Sequence, residues 1–168
     1  MGLALGLYPP PAALQAHVPL VAPERVVALG PRDGAELSNA SVESIANRVR
    51  TVTGAELVNG DTTKIAASAA EHLLEETEKW WLHVDLDVLS AEALPAVDYP
   101  QPGGLSWSQL RRLTGAALTK GGCIGASVVI YNPDLDDGAN AEVIVRYLDY
   151  IIATCLPGLE TGPATPNK

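Results

Sequence analysis

The chain has 168 residues, 47% of them hydrophobic, which is enough for one core and sits within the usual size of a single domain. Twenty acidic residues against 11 basic give a net charge of -9, and no cluster of Lys and Arg offsets it, so neither nucleic acid nor an anionic membrane surface is an expected partner. No run approaches the roughly 18 apolar residues of a membrane span. MGLALGLYPPP lacks the basic start of a targeting signal and carries Gly6 where a myristoylation signal has Ser or Thr. A soluble, cytoplasmic protein acting on small molecules or proteins is the expectation.

In chain order, RVVALG (25–30) is a short apolar run with turn residues on both sides, as in a parallel strand covered on both faces. Val42, Ile45, Ala46 and Val49 stand at helical spacing and predict a helix over 38–49. AELV (55–58) predicts a short strand closed by the Asn59-Gly60 turn. Asp61 is the expected N-cap of a helix running to about Lys79, with Ile65, Ala69, Leu73 and Leu74 on its apolar stripe. Trp80 to Leu86 is the next strand. After a proline-studded loop, Ser106 and Gln109 have the spacing of a capping box for a helix through Leu110, Leu113 and Leu118, stopped by Gly121 and Gly122. CIGASVVIY (123–131) predicts another buried strand. Val143, Ile144, Tyr147, Leu148 and Ile151 face inward on a last helix from Ala139 to Cys155.

The alternation predicts an α/β fold around a mostly parallel sheet, with one domain over 1–156 and a Gly-, Pro- and Thr-rich tail over 157–168 expected to be disordered. Cys123 and Cys155 lie in apolar surroundings without CxxC spacing, which fits reduced thiols rather than a zinc site or disulfide framework. No G-x-G-x-x-G turn follows any strand, which speaks against dinucleotide binding.

The chemistry concentrates in HVDLDVLSAEALPAVDYPQPGGLSW (83–107). Residues i and i+2 of a strand share a face, so His83, Asp85 and Asp87 would form one row ending where strand gives way to loop. Ligands of open α/β sheets bind beyond the carboxyl ends of the strands. Carboxylates buried there are compensated by a divalent cation, with Mn²⁺ and Mg²⁺ suited to oxygen donors and Mn²⁺ also to imidazole. The competing reading is structural: an Asp at a strand end also caps the following loop through a backbone N–H. Asp134, Asp136 and Asp137 fit a solvated turn into the last helix rather than a second metal cluster.

Residues 83–110 resemble the last metal motif of the ureohydrolase superfamily (arginase, agmatinase, formiminoglutamase), SxDxDxxDPxxxP followed by GGLT, with Asp85, Asp87, Pro95, Pro100, Gly103, Gly104 and Leu105 in register. ERVVALGPRDGAE is similar to the family's strand carrying Arg32 and Glu36, and VVIYNPDLD to its final strand and NP turn. The resemblance implies a three-layer α/β/α sandwich with a two-manganese centre. There, a hydroxide bridging ions roughly 3.5–4 Å apart attacks an amidine or guanidine carbon. It assigns Asp85 and Asp87 as metal ligands, leaves His83 as a further candidate ligand, and gives Gly103 and Gly104 the task of bringing the loop close to the site. A homo-oligomer is also expected.

The departures are specific. The family's upstream motifs, GGDHS and DAHxD, are absent, and the histidines are only His17, His72 and His83, so the chain reads as the C-terminal portion of the catalytic domain. MGLALGLY resembles the segment that follows DAHxD. Ser90 and Ala91 replace the motif's third Asp and its Pro, removing a supporting carboxylate. His83 replaces a small hydroxyl residue, and Ile130 stands where arginase-like members place the Glu that holds a guanidinium. An apolar side chain accepts no hydrogen bond, which disfavours arginine and agmatine as substrates. Two functions remain: a metal-dependent hydrolase of linear C–N bonds present as a partial catalytic domain, or a non-catalytic relative serving as an assembly or binding subunit.

Overall fold

The computed structural model describes residues 1–155, and the tail expected over 157–168 lies outside them. Four strands form two parallel pairs. β1 (Val27–Leu29) pairs with β2 (Arg50–Val52), Val27 opposite Arg50, and β3 (Trp80–Asp85) pairs with β4 (Cys123–Val129), Val84 opposite Val128. The strands with their intervening helices meet the α/β expectation, the observed sheets being two-stranded among the described residues.

Helix α3 (Thr62–Glu76) begins as expected at Asp61, whose side chain accepts from the amides of Thr63 and Lys64. Of its expected stripe, Ala69 is buried and Ile65, Leu73 and Leu74 pack partly buried against the core; Ala66 and Ala70 are buried beside them, and these small side chains let α4 (Trp107–Leu118) lie close against it. The capping box of α4 is present in both directions: Gln109 N donates to Ser106 Oγ at 3.3 Å, and Ser106 N to Gln109 Oε1 at 2.9 Å. Beyond the helix, Gly121 and Gly122 adopt φ of 81° and 75°, and the Trp80 amide and indole N–H donate to their carbonyls. That turn ties the end of α4 to the start of β3.

The main core joins Leu57, Val84, Leu110, Leu113, Tyr147 and Ile151 with a group from the long loop, Leu86, Leu89, Leu94, Ala96, Val97 and Leu105, each 6% exposed or less. The 86–105 segment is therefore loop by backbone and core by side chain. A smaller cluster of Leu5, Val26 and Val49 packs beneath the first strand pair.

Three expectations are corrected. The helix over 38–49 is instead a short α1 (Gly34–Asn39) and a single turn at Ile45–Asn47: Ser41, at φ 53°, takes the chain out of helical conformation, and Ser44 caps the new turn by accepting from the Ala46 amide. The segment 55–58 is helical, in α2 (Gly54–Asn59), since Thr53 and Glu56 form a reciprocal capping box and Leu57 is buried on the inner side; the strand lies just before it, at β2. β4 is not a buried strand: Ile124 is 63% exposed, because no further strand or helix covers that side among the described residues. Trp81, on the open face of β3, is 58% exposed, whereas Trp80 on the other face is buried.

Helix α5 (Ala139–Cys155) packs on α4 and β4 with Tyr147 and Ile151 innermost. The segment before it is a turn, as expected. Asp136 accepts from the amides of Asn140 and Ala141, from the Asn140 side chain and from the Tyr131 hydroxyl. The two cysteines, far apart in sequence, meet with their sulfurs 4.0 Å apart as free thiols, and burial together with the neighbouring Cys123 pushes the Cys155 thiol up to about 11. No described helix is long and apolar enough to cross a membrane.

Ser106→Ala is expected to lower unfolding stability by about 1 kcal/mol and Leu110→Ala, at a position only 2% exposed, by about 2–5 kcal/mol, both measured by urea denaturation. Burial raises the Asp136 carboxyl, but its hydrogen bonds from Tyr131, Asn140 and Ala141 outweigh that and hold it well below the usual carboxylate range. A folded-state pKa below the unfolded value contributes stability above the ordinary carboxylate pKa and loses it as pH falls through the folded one. The stability gap between wild type and Asp136→Asn is therefore expected to be full at neutral pH and to shrink on acidification below about pH 4.

Candidate metal and substrate site

β3 ends at Asp85 because that side chain turns back and accepts the Asp87 amide at 2.9 Å, opening a turn over Leu86–Val88. This is the capping role weighed for the pair in sequence, and it falls to the first aspartate. Asp87 belongs to the turn rather than to the strand, so the expected single row is broken: His83 and Asp85 share the exposed face of β3, and Asp87 is rotated into a half-buried position. Leu86 at 1% exposure and Leu89 at 3% anchor the turn in the core and set that rotation.

Asp87 Oδ1 is buried and has no hydrogen-bond partner. Desolvation raises the Asp87 carboxyl above its ordinary pKa, the Asp85 charge adds to this, and the Arg32 guanidinium works against both. An unpartnered carboxylate oxygen beside a second carboxylate is costly on its own and is relieved by a cation. The donor chemistry suits a hard divalent ion such as Mn²⁺ or Mg²⁺. His83 is held elsewhere: its Nδ1 lies 2.8 Å from Ser127 Oγ, which also accepts from the Trp81 indole. Among the described residues no group of three or more His, Cys, Asp or Glu side chains converges. Two carboxylates by themselves would fill only part of the coordination shell of such an ion.

The glycine pair lies against this turn. Leu89 and Leu105 form a parallel bridge, with Leu105 N donating to Val88 O and Ser90 N to Leu105 O, both at 2.9 Å. Gly104, at φ 107°, sits so close to the Leu89–Ser90 backbone that a Cβ there would be 2.6 Å from the Leu89 carbonyl. Gly103, at φ 73°, faces open space. Arg32 crosses between the two segments. It was visible in sequence only as part of a motif, since its partners lie more than 50 residues downstream. A narrow cleft lined by Arg32, Asp87, Leu89, Pro100 and Gln101 shares Arg32 with a wider groove of about 560 Å³ bordered by Asp33, Thr53, Asn59, Gly103 and Gly104. Ile130, past the end of β4, adopts φ 66° and is 44% exposed. A β-branched residue is strained in that conformation. Asn132 ties the following turn to the long loop through Ala96 O and Asp98.

The two glycines should respond differently to a methyl group. Gly103→Ala is expected to cost about 1–2 kcal/mol from backbone conformation alone, whereas Gly104→Ala adds a backbone clash and is expected to cost about 2–5 kcal/mol, read by chemical denaturation.

The sequence profile described as "Arginase family" matches residues 11–153. A formimidoylglutamase of Citrobacter koseri is 34% identical over 104 residues, covering 62% of this chain and 32% of that protein. One of Chromobacterium violaceum is 35% identical over 74 residues, covering 44% of this chain and 24% of that one. Among solved structures, arginase from Bacillus caldovelox superposes with a TM-score of 0.72 at 25% identity, covering 95% of this chain and 52% of its own. Arginase from Bacillus subtilis gives 0.73 at 23%, covering 96% and 56%. The chain thus spans about a third of the length of the Citrobacter relative and about half of the arginases whose fold it shares. The α/β expectation and the motif resemblance converge: the chain belongs to the arginase family.

Proposed function

We propose that the chain is the aspartate-bearing part of a metal-dependent hydrolase that cleaves the linear C–N bond of an amidine, with the formimidoyl group of formimidoylglutamate as the substrate type. The observation that carries this reading is the buried, unpartnered oxygen of Asp87 beside Asp85, in a chain whose relatives include formimidoylglutamases. Asp85 and Asp87 would hold the cation, Mn²⁺ by family. When bound, the centre supplies Lewis-acid activation of water for attack on the amidine carbon. The chain's own residues then act by position. The Gly103–Gly104 loop walls the groove in which a small substrate fits, and the apolar anchors Leu86 and Leu89 hold the carboxylates in place. Ile130 offers no acceptor to a guanidinium, which disfavours arginine and agmatine.

A second reading rests on a different observation, the lack of a third converging ligand among the described residues. In it the chain is a non-catalytic arginase-fold subunit whose site is incomplete by itself. Both readings include association: Trp81 and Ile124 leave large apolar surface open on the β3–β4 sheet, and a homo-oligomer is the proposed state, to be checked by light scattering.

The isolated chain is expected to bind Mn²⁺ weakly, with a dissociation constant of about 10⁻⁴ M or above, because two carboxylates leave most coordination positions to water. Titration calorimetry of wild type and of the Asp85→Asn/Asp87→Asn double variant tests this. Equal binding by the two would remove the aspartates from the site. With excess Mn²⁺, no urea is expected from arginine or agmatine; its appearance would overturn the specificity assigned to Ile130. Loss of formimidoylglutamate followed by NMR tests the hydrolase reading directly: turnover that is abolished in the double variant supports it over the non-catalytic subunit.

A further inference from the structure

Arg32 follows β1 through Gly30 and Pro31, and its guanidinium reaches two segments distant in sequence. Nη1 donates to the carbonyls of Gln101 (3.2 Å), Pro102 (3.0 Å) and Gly103 (2.7 Å), while Nη2 donates to those of Asp87 and Leu89 (3.3 Å). Five carbonyls from two loops thus converge on one cation. Among the described residues Arg32 forms no ion pair within 4.0 Å. Its charge is directed at backbone dipoles instead. The stem is accommodated because residue 54 is glycine: a Cβ there would lie 2.6 Å from Arg32 Cγ.

The acceptors are not arbitrary. One group is the turn that carries Asp87; the other is the strap ending in the Gly103–Gly104 pair that borders the groove. The direct backbone link between them is the Leu89–Leu105 bridge, which fixes the base of the strap but not residues 101–103. A planar fork with several N–H groups spans both segments at once, whereas an ammonium is a compact point donor on a flexible stem. We propose that Arg32 is a positioning residue: it fixes the separation between the Asp85–Asp87 carboxylates and the strap at residues 101–103, and thereby the geometry in which cation and amidine meet. This deepens the function proposed above and rests on the aspartate pair being its cation site.

The test uses the full chain with Arg32→Lys and Arg32→Ala. Hydrogen exchange is followed for peptides covering 86–90 and 101–105, with α4 and α5 as internal references, and Mn²⁺ affinity is measured in parallel. In Arg32→Lys, exchange at both loop segments is expected to rise about tenfold while the reference helices keep their protection, and Mn²⁺ affinity is expected to fall about threefold to tenfold through displacement of Asp87. In Arg32→Ala, millimolar ethylguanidinium is expected to restore protection and ethylammonium to leave it unchanged. Unchanged exchange in Arg32→Lys overturns the proposal, as does a uniform loss across loops and helices, which marks a general stability role. Rescue by both amines also overturns it, since the fork would then be immaterial. Should wild type bind no Mn²⁺, the cation-site reading fails; the exchange and rescue results still decide whether Arg32 couples the two loops.

Discussion

Parallel pairing is the constraint on which the rest of the structure depends. A parallel pair cannot be closed by a tight turn, so each strand must be followed by a crossover that carries the chain back to the starting edge. Between β3 and β4 the crossover is the 86–105 loop and α4; between β1 and β2 it is α1 and the turn after it. The carboxyl ends of all strands consequently lead into segments with no ladder to satisfy them, and their backbone groups find other partners. Asp85 supplies one, for the Asp87 amide, and Arg32 supplies several, for carbonyls. Residues bearing charge collect at the same edge for this topological reason.

The long loop shows how such an edge is made rigid without regular structure. Leu86, Leu89, Leu94, Ala96, Val97 and Leu105 are all buried, so the loop loses core contacts if it moves. Trp107 completes the anchoring: its indole donates to Ala93 O at 2.9 Å and its ring packs against Tyr147, with centroids 5.6 Å apart. The aspartates thus stand on a framework held at both ends, β3 on one side and α4 on the other. That arrangement lets Asp87 keep a buried oxygen without a protein partner, since local repacking cannot easily expose it.

The two strand pairs differ in how well they are covered. One face of β3 is buried in the main core with residues of α3 and α4, while Trp81, His83 and Asp85 on the other stay exposed, Trp81 and His83 both meeting Ser127 of β4. A two-stranded sheet is marginal without packing on its faces, and here the support comes from the helices on one side. The chain spans about half of the arginases it superposes on.

Much of this was legible in the sequence. Asp61, the Ser106–Gln109 pair and the Gly121–Gly122 stop are local chemical signals, and the helices and turn they predict are found because a cap acts within four residues of itself. The same kind of signal, Thr53 with Glu56, marks α2, where the apolar AELV run by itself suggests a strand. The alternation of elements established the α/β class, and the motif in register around Asp85 and Asp87 pointed to the arginase family. What only the tertiary structure decided is each residue's environment. Spacing placed Asp85 and Asp87 on one row, yet one caps a turn and the other is turned inward, because Leu86 and Leu89 must reach the core. Arg32 meets its carbonyl partners across 55 to 71 residues, and the two cysteine sulfurs meet across 32. Local sequence encodes backbone conformation through short-range sterics and capping, whereas burial and long-range partners exist only once separate segments have packed together.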